Sequence, residues 1–285
     1  MNNTFNIKRF GYVFRKDLME NWKRYILLFI TMLGIMAIAF ICFSLINYNI
    51  MENSFSNHSE INSNMLIMTL LMFAGFGLLF ASTLMNPMNN KIKRISYLIN
   101  PASNLEKYLS RWIIMTIAYI IVFFIALYVV DILRVGITAA AYPDMDVKFL
   151  DLSKLIREND EVSSRYYIFR NNYYFFFALS IYFLMQSLFV LGSTFWEKTT
   201  FVKTFSVVTV LIIFFFLFCY FAIKLFYGDF NDFGNVMNSF EFMYKRNFDE
   251  NLVLKFTSCV ISVFTLINWV FAFFRFRESE IIKRF

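Results

Sequence analysis

His58 is the only histidine in the chain, and the polar run Asn57-His58-Ser59-Glu60 around it holds no thiol and no second imidazole. A single imidazole in such a setting reads as a solvated loop residue, so no metal is assigned and His-dependent acid–base or nucleophilic chemistry lacks its partners. Cys42, Cys219 and Cys259 all fall inside apolar runs, where a thiol behaves as a small hydrophobe. They form no CxxC pair and no disulfide framework. None of the eight glycines is followed by lysine, so no G-x-x-x-x-G-K-[ST] phosphate loop is present. The expectation is a protein that is not an enzyme, holds no cofactor, and draws any driving energy from another subunit.

In place of a catalytic set, the chain has a patterned basic stretch at residues 86–111. Asn89 to Leu98 predicts a short helix offering Ile92, Ile95 and Tyr97 or Leu98 for a contact. Pro101 stops it, because the residue before a proline disfavours the α region. Ser103-Asn104-Leu105-Glu106 then matches a capping box, with Ser103 as N-cap and Glu106 reaching back, and leads through Lys107 and Arg111 into the next apolar run. The plainer reading is a basic loop whose Lys91, Lys93 and Arg94 only enforce topology. A helix, a break and a second helix are more structure than that task requires.

The elements that must position this stretch follow from composition. Of the 285 residues, 59% are hydrophobic, 21% aromatic and only 16% charged, against about 45–50% apolar and about 25% charged in ordinary globular chains. The surplus calls for a bilayer. Six charge-free runs approach the roughly 20 residues that a spanning helix needs, at about 25–48, 65–85, 112–130, 172–196, 204–223 and 256–274. Asp131 and Lys224 lie at run ends, where snorkelling to the interface is expected. The first run exceeds the about 7–15 residues of a signal-peptide core and is expected to stay as a membrane helix. The fold class expected is all-α: a polytopic membrane protein with six transmembrane helices in a single transmembrane domain over 1–285.

Lys and Arg counts orient it. With a cytoplasmic N-terminus, the inner segments carry 17 basic residues and the outer segments 10, so both termini are expected in the cytoplasm. The net charge of +7 is then a topology and lipid-headgroup signal, and nucleic acid is not an expected partner. Residues 1–24 place Phe10, Val13, Phe14, Leu18 and Trp22 at helical spacing against six bases, which predicts an N-terminal amphipathic elbow helix lying in the interface, with Glu20 and Arg24 as an i,i+4 pair. The outer loop, 131–171, reads as a solvated cap, or else as a lid or partner surface, with a short helix near Phe149 to Arg157. The smaller outer segment from Gly228 to Lys255 reads the same way. Gly77 and Ala81 form a small-xxx-small pair suited to close helix packing. No run holds an ionisable residue in its interior, which argues against an ion-coupled secondary transporter.

The segments Phe10-Gly11 through Glu20-Asn21-Trp22-Lys23-Arg24-Tyr25 and Leu98-Ile99-Asn100-Pro101-Ala102-Ser103-Asn104-Leu105-Glu106-Lys107-Tyr108-Leu109-Ser110-Arg111 carry a family resemblance. With six spans and a structured first inner loop, the chain resembles the permease subunit of a bacterial ABC transporter of the ABC-2 class. The resemblance implies a multi-pass protein of the inner (cytoplasmic) membrane that pairs with a second six-helix permease subunit, identical or not. It also implies docking on a cytosolic ATP-binding subunit through a coupling helix, here Asn89 to Leu98, with Ile92, Arg94, Ile95 and Tyr97 as the contact. The transported compound expected is hydrophobic or amphipathic and moves outward. The competing expectation is a non-transporting membrane scaffold or sensor that binds a partner through its outer loop.

Overall fold

The computed structural model describes residues 5–53, 58–89, 91–156, 167–196, 198–227 and 250–278. Within them the long elements are all helices: α1 (Ile7–Asn53), α2 (His58–Ser82), α3 (Lys91–Ile99), α4 (Asn104–Ile113), α5 (Tyr119–Ala141), α6 (Asn172–Phe195), α7 (Thr200–Tyr227) and α8 (Glu250–Glu278). A single π-helical turn, Ile114–Ala118, joins α4 to α5, so that Asn104–Ala141 reads as one rod. Among the described residues six helices are long and apolar enough to cross a membrane; five of the six expected spans fall wholly within them, and 172–196 runs one residue past Phe195. The chain is a multi-pass membrane protein.

α1 corrects one expectation. It runs unbroken for 47 residues, about 70 Å at 1.5 Å per residue, more than twice the ~30 Å hydrocarbon core. Among the described residues no separate elbow helix precedes the first span. Lys23-Arg24-Tyr25-Ile26 contains neither Pro nor Gly to interrupt the i→i−4 ladder. Part of the amphipathic face expected to seek lipid has protein partners instead: Val13 is buried and Phe14 packs against a protein core, while Leu18 and Trp22 stay exposed. Glu20 pairs with Lys16 at 3.6 Å.

Three apolar clusters stack along the bundle. At the α3 end, Leu84, Met88, Tyr97, Tyr108, Phe189 and Phe276 join α2, α3, α4, α6 and α8. In the middle, Met32, Met36 and Phe40 of α1 meet Tyr119, Phe123 and Leu127. At the far end Tyr48, Ile61 and Met65 meet Tyr142 and Leu150. The most extensive pairings are α6 with α8 and α1 with α5. Gly77 admits Tyr182 of α6, whose hydroxyl would overlap a Cβ there, and Ala81 one turn on is fully buried. α7 leaves most of its length exposed, including Phe214, Phe216 and Phe218, as a lipid-facing helix would.

Asp131 does not snorkel. It and Arg134 are both buried, with Arg134 Nε donating to Asp131 Oδ1 at 2.8 Å and Nη2 donating to the Lys148 carbonyl at 2.7 Å. The Leu150 N–H donates to Asp131 Oδ2 at 2.9 Å, and the Asp151 N–H to Asn62 Oδ1 at 2.9 Å. The segment after α5 is thus folded back onto α1, α2 and α5, with Pro143, Asp144, Asp146 and Lys148 exposed as in a solvated cap. A buried ion pair persists only when its remaining donors and acceptors are satisfied, and here backbone groups of that segment satisfy them. The expected short helix there is a 3-10 turn, Leu152–Leu155. Residues 228–249, most of the second loop read as outer, lie outside the described residues.

Candidate functional site

α3 is nine residues long and stands between the second and third spans. Its sequence gives it two faces. Ile92, Ile95 and Ile99 fall at i, i+3 and i+7, on one side of a helix, and their exposures are 78%, 49% and 74%. Tyr97 lies on the opposite side and is 7% exposed. Arg94 is half-buried, and the side chains of Lys91 and Lys93 lie outside the described residues.

Tyr97 therefore leaves the expected contact set. Its hydroxyl donates to the Lys107 carbonyl at 2.9 Å, and its ring centroid is 6.2 Å from that of Phe276 on α8. Burial pushes the phenol above its ordinary range, which keeps the hydroxyl a donor. The Arg111 guanidinium sits 4.9 Å from the ring centroid, a cation–π distance. Tyr97 is the root of α3, and the isoleucines are its outward face.

Arg111 itself donates to two groups. Its Nη2 donates to Asp17 Oδ1 at 3.2 Å, and its Nη1 to the Leu84 carbonyl at 3.4 Å. The Ser110 hydroxyl donates to Asp17 Oδ2 at 2.9 Å. Asp17 and Arg111 are buried, so the first turns of α1, the segment just after α2, and α4 are joined by a charge pair shielded from water. Nothing local in the sequence pairs Asp17 with Arg111, 94 positions away; the one signal is a single acid directly after Arg15 and Lys16.

The capping box forms as expected. Glu106 N donates to Ser103 Oγ at 3.3 Å, and Ser103 N donates to Glu106 Oε2 at 3.0 Å. Glu106 does more than cap: Arg9 straddles its carboxylate with Nε on Oε2 and Nη2 on Oε1, both at 2.7 Å, and the Asn6 N–H donates to Oε1 at 2.8 Å. A bidentate arginine fork of this kind fixes orientation as well as distance. The start of α1 and the end of α8, through Phe276, therefore meet at the α3 end of the bundle.

Chemically the arrangement presents an apolar stripe on a rigidly rooted, short helix outside the long apolar runs. Among the described residues no group of three or more His, Cys, Asp or Glu is placed to hold a metal ion. Comparison with known protein families, curated proteins and solved structures finds no match.

Proposed function

We propose that the chain is the transmembrane permease subunit of an ATP-binding cassette exporter of the ABC-2 kind, placed in a bacterial inner membrane and driven by a separate cytosolic ATPase. The observation that carries this reading is α3. Three isoleucines face outward on a helix that is anchored at its back by Tyr97, Arg111 and Asp17. Exposed apolar side chains on a polar, interhelical segment lose free energy in water unless a partner covers them. A rigid root is what a force-transmitting contact needs, because a floppy tether would absorb the partner's motion. Ile92, Ile95 and Ile99 with Arg94 then form the contact with the ATPase, and a second six-helix subunit completes the translocation path.

The reading is tested by purifying the full chain from its native membrane in mild detergent and identifying what travels with it. A stoichiometric P-loop ATPase is the expected companion, with ATP hydrolysis belonging to the complex. Recovery of the chain with no such ATPase, or hydrolysis by the chain alone, would refute it.

A further inference from the structure

Between α1 and α3 lies a cleft of about 430 Å³, which Ile92 also lines, while Ile95 and Ile99 lie outside it. Lys16, Lys23, Arg24 and Arg111 line it, with Asp17 and Glu20 as the opposing carboxylates. Among the described lining residues four cations stand against two acids. Both acids are already engaged, Asp17 by Arg111 and Ser110, and Glu20 by Lys16. Lys23 is exposed, its ammonium 5.9 Å from the Trp22 ring centroid.

Position selects the ligand. Lys23 and Arg24 immediately precede Tyr25, where the first long apolar run begins, and Trp22 beside them is 53% exposed. Tryptophan and lysine at such a junction sit at headgroup depth, and basic pockets between helices at that depth recognise anionic headgroups. The cleft is too charged for an acyl chain and too close to the apolar run to be a bulk-solvent site.

We infer that this cleft binds the phosphodiester of one anionic lipid headgroup, bridging α1 and α3. The site needs only the membrane-spanning architecture, not a transport role, so it stands or falls separately from the transporter reading. A phosphate group arriving from solution would meet the same cations, and the probes separate the two sources.

Delipidated full-length protein in detergent micelles is titrated with phosphatidylglycerol, with phosphatidylcholine and with inorganic phosphate, and bound species are counted by native mass spectrometry. One phosphatidylglycerol is expected to be retained, phosphatidylcholine is not, and inorganic phosphate does not displace it. Each basic group near an anionic headgroup is worth about fivefold in affinity, so Lys23→Ala with Arg24→Ala weakens retention by about thirtyfold. Lys8→Ala with Arg15→Ala removes the same charge outside the cleft and changes retention by less than about twofold. The single Lys23→Ala variant, at an exposed side chain, gives about fivefold without touching the fold. Equal weakening by the two double variants, equal retention of phosphatidylcholine, or displacement by inorganic phosphate would each overturn the assignment.

Discussion

Asp17 and Arg111, 94 positions apart, share a buried ion pair at 3.2 Å that fastens the first turns of α1 to the base of the third span. Removing one member leaves the other charge buried and unpaired, which costs about 3–5 kcal/mol. Asp17→Ala is therefore expected to lower the unfolding temperature in detergent sharply. Asp17→Leu combined with Arg111→Met removes both charges and is expected to recover most of the loss. If the single variant unfolds like the parent protein, the pair does not hold α1 in place.

The two faces of α3 predict opposite phenotypes. Tyr97→Ala empties a buried aromatic site and is expected to destabilise the protein by about 3–5 kcal/mol. Ile92→Ala and Ile95→Ala sit on an exposed face and are expected to stay within about 0.5 kcal/mol of the parent. Thermal unfolding of the three variants, followed by intrinsic fluorescence, distinguishes root from face. A stable Tyr97→Ala variant would contradict the orientation of α3.

How much was legible in the sequence follows from these residues. The six spans were legible because each is a charge-free run of membrane length, a signal local in the chain. The Ser103/Glu106 capping box was legible for the same reason, its two members being three positions apart. Which side of α3 faces outward was not, because isoleucine and tyrosine are both apolar enough to dock and only tertiary packing against Phe276 and Arg111 chooses between them. Asp17–Arg111 is a long-range pairing with no local pattern, and Arg9–Glu106 likewise joins residues 97 apart. The basic amphipathic start of α1 resembled an interfacial helix because a face that packs on protein and a face that packs on lipid have the same apolar spacing.

The cap on α4 is expected to divide by severity. Ser103→Ala removes one N-cap acceptor and costs about 1 kcal/mol. Glu106→Ala also releases Arg9 and the Asn6 N–H, so its unfolding temperature is expected to fall further than that of Ser103→Ala. Equal shifts for the two would mean that the Arg9 fork adds nothing to the cap.

At the opposite end, Asp131 and Arg134 hold the segment after α5 by its backbone at Lys148 and Leu150. Asp131→Ala is expected to release that segment and to raise the rate of proteolytic cleavage between residues 142 and 156, whereas Lys148→Ala, which keeps the backbone carbonyl, is not. Limited proteolysis of both variants in lipid nanodiscs reads this directly. Cleavage at the parent rate in Asp131→Ala would show that the clamp is dispensable.

The central claim, that the Ile92, Ile95 and Ile99 face of α3 docks an ATPase, is tested most directly by co-purifying the full chain with its companion P-loop ATPase. Truncating a central interface anchor commonly costs ~2 kcal/mol or more, roughly thirtyfold in affinity. Ile92→Ala with Ile95→Ala is expected to lose the ATPase by at least that factor, while the chain stays folded and inserted in the membrane. Lys148→Ala, at the other end of the bundle, is expected to retain it fully. Undiminished ATPase association in the Ile92/Ile95 double variant would contradict the docking assignment.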